Sequence, residues 1–494
     1  MKANFKYAML LAAALTMGLS SCSNDDSTTG GGLGDGMRGE PTTMNIIAKQ
    51  AGAIGTYAFT PTPTGDEAII KTADTYIFDG AGVLEVVQNM TVAGGQATAS
   101  GVTITTGPKT FFIVANAPTA LATQLSGAPV TPGDPAALNK AAFEKLLANG
   151  ATSVTSMSTI AVPTAGVGTG YFMTAPEGGK QQTLNPGASN SVSMKIGRAF
   201  SKANLEFPAA SVVYEASLGG TLTNVSYLVR NIKDNTFNQA VYNGLQLESY
   251  NYNKWAAGPT PPLATSDFFI EGGTLSATTG FPGASQHFLT STDADGTKAL
   301  YAMENANSEP LYGTATFTQI GGVWVLDATT DVHGDDNAVL GQGPSHLPSN
   351  GDFYRIVEFD DAPVSATKVL REISNKYYAA SPIQTTIDAE ILAFDAANAA
   401  NPAVSANVGI LKYEGGKVYY SVYLTNPAAV SAPVSETFMV ERNKYYYVTV
   451  KSINRLGSNT AEITNPGEEI TTSVDLSANI EVGDWADASS NADL

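Results

Sequence analysis

A single cysteine, Cys22, occurs in the 494 residues. No intrachain disulfide can form, and a cysteine-based metal site is excluded. Histidine is almost as scarce. His287, His333 and His346 sit in stretches that read as loops, and none has a partner at metal-ligand spacing. Positive charge is short as well: 26 Lys and Arg stand against 45 Asp and Glu, for a formal charge of −19. With no basic stripe to neutralise phosphates, the chain is not expected to bind nucleic acid. The Gly-Xaa-Ser-Xaa-Gly elbow, the phosphate-cradling Gly-x-x-x-x-Gly-Lys-Ser/Thr loop and a cysteine nucleophile are all missing. The acidic run Asp331-Val332-His333-Gly334-Asp335-Asp336 reads as a solvated loop. Asp293-Ala294-Asp295-Gly296-Thr297 places its glycine too early for a calcium loop and reads as a turn. No pair among the many carboxylates is singled out for glycosidic chemistry. The expectation is a protein with no catalytic residues, no metal and no cofactor.

What the chain does have is length and turn formers. Its 494 residues exceed one typical core, so two domains are expected. Hydrophobic residues at 43% suffice for globular folding, while 48 Gly and 25 Pro favour a turn-rich β protein over a helical bundle. The N-terminus reads as a lipoprotein signal peptide over residues 1–21. Lys2 and Lys6 supply the positive region, Ala8 to Leu19 the apolar one, and Leu19-Ser20-Ser21-Cys22 the cleavage site. That run is too short to span a bilayer, and no later stretch is long and apolar enough to do so. Cys22 is therefore the expected lipidated residue; the alternative is an ordinary secretory signal with an incidental cysteine. Acyl chains contribute about 0.8 kcal/mol per buried CH₂, enough in number to anchor the chain to the outer membrane.

Residues 22–41 are Gly/Ser/Thr/Asp-rich and read as a flexible tether. Within them Arg38 is the only arginine before Arg198, and so an isolated trypsin-like cut site. Strands are expected at Thr43–Ala48, Ala73–Phe78 and Thr110–Asn116, and a short one at Tyr171–Thr174. A packing helix is expected from Asp134 as N-cap and Pro135 at the first turn to Gly150, with Leu138, Ala142, Phe143 and Leu146 as its stripe. Ser191 to Phe207 reads as the bridge between domains, with Arg198 and Lys202 as structural charges. Gly258 to Gly351 reads as long irregular loops, Thr385–Ala399 as a second helix, and Tyr413–Tyr420 as a hairpin.

The C-terminal stretch is the most informative. Glu441-Arg442-Asn443-Lys444 runs into the aromatic and β-branched strand Tyr445 to Ile453. After a turn-rich link comes strict alternation: Val474, Leu476, Ala478, Ile480 and Val482 share one face. Trp485 follows. The order Glu-Arg-Asn-x-x-Tyr, tyrosine-rich strand, Asn/Pro/Gly link, alternating strand and Trp resembles the C-terminus of the Bacteroidales fimbrillins, the lipoprotein pilins of type V pili. The strand ending in Asn116, the Tyr171–Thr174 strand and Arg198-Ala199-Phe200-Ser201-Lys202 resemble landmarks of the same family. Ser23-Asn24-Asp25-Asp26 resembles the surface-export signal of such lipoproteins.

The resemblance implies a mainly β fold of two β-sandwich (transthyretin-like) domains with a few short helices. It divides the chain into an N-terminal domain over 42–190, a C-terminal domain with long loops over 191–470, and an alternating strand and tail over 471–494. It implies a structural, non-enzymatic pilin at the cell surface, first an outer-membrane lipoprotein and then part of a fimbrium, supporting adhesion and biofilm. The partners implied are identical or related pilin subunits and host or bacterial surface ligands. In the family a protease removes the segment through the first strand, and a neighbour's C-terminal strand fills the groove that opens. Here Gln50 to Thr64 holds no basic residue, so the candidate cut sites are Arg38, before the strand, and Lys49, at its edge. Val474, Leu476, Ala478, Ile480 and Val482 are the candidate polymerisation face. The competing reading is a surface-anchored glycan-binding or adhesive lipoprotein that does not polymerise, with Trp255 and Trp324 as its aromatic platforms.

Overall fold

The computed structural model describes residues 39–50, 69–126, 138–149, 170–175, 178–187, 189–233, 235–243, 246–248, 268–271, 300–306, 311–363, 368–425, 437–461, 470 and 475–484. All of them lie in one compact unit, Arg38–Leu494. Among the described residues the fold is mainly β, with multiple sheets and three α-helices: α1 (Thr119–Ser126), α2 (Lys140–Glu144) and α3 (Gln384–Ala397).

Among the described residues the N-terminal sheet has nine strands. Its order runs Leu84–Asn89, Ala73–Asp79, Gly107–Ala115, Met173–Thr174, Asn190–Arg198, Pro41–Gln50, Gln96–Thr105 and Thr91–Ala93, with Lys180–Leu184 also paired to Gly107–Ala115. Two limbs of this sheet enclose one core. Ile77, Phe111 and Ile113 come from one limb; Met44, Ile46, Val102, Val192 and Ile196 come from the other. The reverse face of the first limb is apolar too, because α1 and α2 cover it. Phe143 of α2 lies 4.9 Å from Tyr76, 5.1 Å from Phe78 and 5.1 Å from Phe112, ring centre to ring centre. A strand buried on both faces needs no alternation, hence the continuous run Thr110 to Ala115. The expected strands at 43–48, 73–78 and 110–116 all form.

The helix expected from Asp134 to Gly150 is shorter. Asp134 and Pro135 lie outside the described residues. Asn139 is extended and bridges to Val83, so α2 starts after it, and the Asn139 side chain caps the helix by accepting from the Ala142 amide at 2.9 Å.

The chain changes sheets at Ala199: Asn190–Arg198 ends the N-terminal sheet and Phe200–Glu206 begins the next. That next sheet contains Leu476–Asp484, Lys444–Ile453, Phe200–Glu206, Val213–Tyr214 and Leu300–Met303. A four-stranded sheet (Phe268–Glu271, Gly220–Lys233, Phe317–Leu326, Lys417–Tyr423) shares its core, with Leu205, Val448 and Ile453 packed in one cluster with Leu222, Tyr227 and Ile320. A six-stranded sheet over Asp331–Tyr413 adds a satellite core, where Ile356, Ile373 and Tyr378 meet Ile387 and Ile391 of α3.

Two expectations fail here for physical reasons. Gly258–Gly351 is not loop throughout: Phe317–Leu326 is a central strand of the four-stranded sheet. Gly322 lies within it because a Cβ there would stand 2.6 Å from Leu222 Cδ1, so the glycine serves close strand approach. Tyr413–Tyr420 is not a hairpin either. Val408–Tyr413 pairs with Phe353–Phe359, and Lys417–Tyr423 pairs with Phe317–Leu326. Gly415 and Gly416, at φ +61° and +69°, pass the chain from one sheet to another.

Candidate functional site

The features that bear on function are the two terminal strands and the junction between the halves. The first strand, Pro41–Gln50, is interior to its sheet. It pairs antiparallel with Gln96–Thr105 and parallel with Asn190–Arg198. Met44, Ile46, Ala48 and Gln50 point into the core, at two-residue spacing. Lys49 is exposed near the strand's end, opposite Gln96 and Lys195. Cys22 and Arg38 lie outside the described residues.

The last described strand, Leu476–Asp484, lies antiparallel along one edge of Lys444–Ile453, with Ile480 opposite Val448 and Val482 opposite Tyr446. Leu476 is buried at 6% exposure, whereas Ala478, Ile480 and Val482 are half-buried against the same core. Ser477 and Asn479 face outward, as alternation requires. Val474 lies outside the described residues. Within one chain this strand thus covers its own sheet edge, and of its apolar face only Leu476 is buried.

Between these strands sits Glu441-Arg442-Asn443. Arg442 and Glu304 form a two-pronged buried pair, Nε to Oε1 at 2.9 Å and Nη2 to Oε2 at 2.7 Å, with side chains 2% and 1% exposed. The guanidinium also donates to Thr174 Oγ1 at 3.1 Å, the Phe237 carbonyl at 3.3 Å and the Gln239 carbonyl at 3.2 Å. Thr174 belongs to the N-terminal sheet and Glu304 follows a strand of the next, so one side chain ties the two. A planar fork is the right donor set for several acceptors at once.

Asn443 takes the left-handed conformation at φ +57°. Its amide donates to the Phe200 carbonyl at 2.9 Å, and its Oδ1 accepts from the Arg198 amide at 3.1 Å. A Cβ on Gly197 would stand 2.3 Å from Asn443 Cγ, which is why glycine precedes Arg198. The Glu441 amide donates to the Tyr446 hydroxyl, which donates to the Met439 carbonyl. Burial pushes the Tyr446 hydroxyl well above its ordinary range, reinforced by Glu441. The Glu-Arg-Asn-x-x-Tyr signature is therefore a joint and not a reactive centre. Sequence reading missed its partners Glu304, Thr174 and Gly197, which lie far off in the chain and carry no local pattern.

Arg198 is fully buried, and Lys202 sits with Nζ 5.7 Å from the centre of the Tyr445 ring. Asn116 is a second left-handed asparagine. Its side chain accepts from the amides of Lys71 and Thr72 and donates to the carbonyls of Ile69 and Tyr171. Trp324 is no aromatic platform: it is 2% exposed and donates to the Tyr377 hydroxyl at 2.9 Å. Trp255, His287 and Asp293–Thr297 lie outside the described residues. His333 Nδ1 lies 3.2 Å from the Asn337 carbonyl, engaged in a turn.

Residues 411–491 match the family model for the major fimbrial subunit protein type IV, fimbrillin, C-terminal. The fimbrillin resemblance seen in the sequence is thus shown over the segment holding the joint and the last strand. Among solved structures, the chain is similar to a candidate cell adhesion protein from Parabacteroides distasonis at 12% identity, covering 90% of this chain and 99% of that one, with a TM-score of 0.44. It is similar to a fimbrilin, fimA, from Porphyromonas gingivalis at 15% identity, covering 90% and 97%, with a TM-score of 0.41. It is also similar to the tip fimbrial protein Mfa3 from Porphyromonas gingivalis, C-terminally truncated, at 11% identity, covering 90% and 100%, with a TM-score of 0.36. No curated protein matches the chain.

Proposed function

We propose that this chain is a structural subunit of a cell-surface fimbria, exported as a lipoprotein on Cys22, processed at Arg38 or Lys49, and polymerised by donation of its last strand. The observation that carries this reading is the shallow seating of Leu476–Asp484. One apolar face alternates along the strand, yet of that face only Leu476 is buried, and the strand lies at a sheet edge. Full burial of a Leu, Ile or Val side chain contributes about 1.5–3 kcal/mol. The half-buried Ile480 and Val482 would therefore gain by moving into a closed groove.

The first strand marks where such a groove would lie. Its removal would free the facing edges of Gln96–Thr105 and Asn190–Arg198 and vacate the places of Met44, Ile46 and Ala48. Read backwards, Val482, Ile480 and Ala478 repeat the series Met44, Ile46 and Ala48 closely in size. Backbone pairing on both sides would add directional hold. The Arg442 joint suits a shaft subunit, since a load entering one sheet passes to the next through a buried fork. The non-polymerising adhesin reading is less favoured because Trp324 is buried.

Deletion of residues 471–494 tests the reading. The truncated chain should reach the cell surface, stay folded by circular dichroism, and form no ladder of multimers on gels where the full chain does. Truncated chains that extend polymers normally would refute strand donation.

A further inference from the structure

The turn after the strand Asp331–His333 brings three groups together that the fimbrial reading does not use. Lys376 Nζ lies 3.3 Å from Asn337 Oδ1 and 2.6 Å from Glu390 Oε1. The same Glu390 oxygen accepts from Asn337 Nδ2 at 3.1 Å. An amine, a carboxamide and a carboxylate touching both nitrogens are the components of an amide-exchange reaction. We infer that Lys376 and Asn337 join in an intramolecular isopeptide bond, with Glu390 as the proton carrier.

Each group is held in place. Asn337 adopts φ +67°, a conformation asparagine tolerates, within a turn closed by the Gly334 amide on the Ala338 carbonyl at 2.8 Å. Lys376 directly precedes Tyr377–Tyr378, which pairs in parallel with Val332–His333. Glu390 sits on α3, whose start is tied to the turn by the Ile383 amide and Thr386 hydroxyl, both donating to the Asp335 carbonyl. The Glu390 side chain is 8% exposed and Lys376 is 37% exposed, so the carboxylate is enclosed while the amine side opens to water. Ile387 and Ile391, on the same helix face, pack with Tyr378 and make the floor apolar. The carbon to be attacked is bonded to the oxygen that Nζ already touches.

The step balances without any other reactant. Lys376 gives a proton to Glu390, and the neutral amine's lone pair attacks Asn337 Cγ to form the new C–N bond. The second proton shed by the lysine nitrogen also passes through Glu390 to Nδ2. The Cγ–Nδ2 bond breaks, and the leaving nitrogen, carrying both protons, departs as ammonium. One amide replaces another, with no change of oxidation state.

Intact-mass measurement of the purified chain, followed by digestion and fragment sequencing, tests this inference. The mass should be lower by one ammonia, and a branched peptide should join the Asn337 segment to the Lys376 segment. Lys376→Arg, which keeps the charge, should restore the full mass, and Glu390→Gln should do the same. A wild-type chain of full mass would overturn the inference. So would a mass lower by one ammonia with only linear peptides, since that is a succinimide at Asn337.

Discussion

Replacing Arg442 with methionine should be among the most damaging single changes in the molecule. The substitution keeps much of the aliphatic bulk but leaves Glu304, 1% exposed, with no charge opposite it. Removing one partner of a buried pair costs about 3–5 kcal/mol. The carbonyls of Phe237 and Gln239 and the Thr174 hydroxyl lose a donor as well, and an unsatisfied buried acceptor costs about 1–3 kcal/mol. Relaxation and water entry recover part of this, so a loss of about 4 kcal/mol is expected. The assay is urea unfolding of the single variants and of Arg442→Met with Glu304→Leu. The double variant should be more stable than Arg442→Met alone, because it no longer buries a lone carboxylate. A single-variant loss under about 1 kcal/mol, the scale of an exposed ion pair, would refute the joint.

Gly197→Ala should destabilise by about 1–3 kcal/mol, the usual scale of overpacking, because the new methyl meets the Asn443 side chain; unchanged urea midpoints would contradict this. The buried tyrosines set an alkaline limit. Tyr227, Tyr413 and Tyr446 are raised above 10.0 mainly by burial, so the unfolded chain releases their protons first. Their contribution is intact below pH 10 and is lost as pH rises above it. Tyrosinate absorbance should therefore rise in two stages, the second coinciding with unfolding. A single stage complete while the chain is still folded would be inconsistent with their burial.

Much of the N-terminal sheet was legible because its signals are local. Thr110 to Ala115 is a doubly buried strand between a glycine-proline start and an asparagine end, and each of these can be seen in ten residues. The alternation from Leu476 to Val482 likewise names a strand with one apolar face. Which strand pairs with which is not local. Lys417–Tyr423 follows Val408–Tyr413 after three residues and looks like its hairpin partner, yet the two glycines between them carry it into another sheet. Phe317–Leu326 was hidden because Gly321-Gly322 signals a turn unless the neighbouring Leu222 is known. The Glu-Arg-Asn signature was visible, but its purpose was not. Its partners Thr174, Arg198 and Glu304 are between 138 and 268 residues away in sequence.

The central claim, that the last strand leaves its own sheet to enter a neighbour, can be tested with a reversible lock. Ile480 and Val448 stand opposite one another across the pair, at the Cβ separation that a cross-strand disulfide can bridge. The chain has no cysteine beyond Cys22, so Val448→Cys with Ile480→Cys in a chain processed at Arg38 or Lys49 has only that one bridge to form within the subunit. The measurement is polymer growth of this variant, oxidised and then reduced, followed by light scattering. Strand donation predicts no growth while the bridge is closed and normal growth once it is reduced. Equal growth in both states would mean that the strand stays at home and the subunits join by another surface.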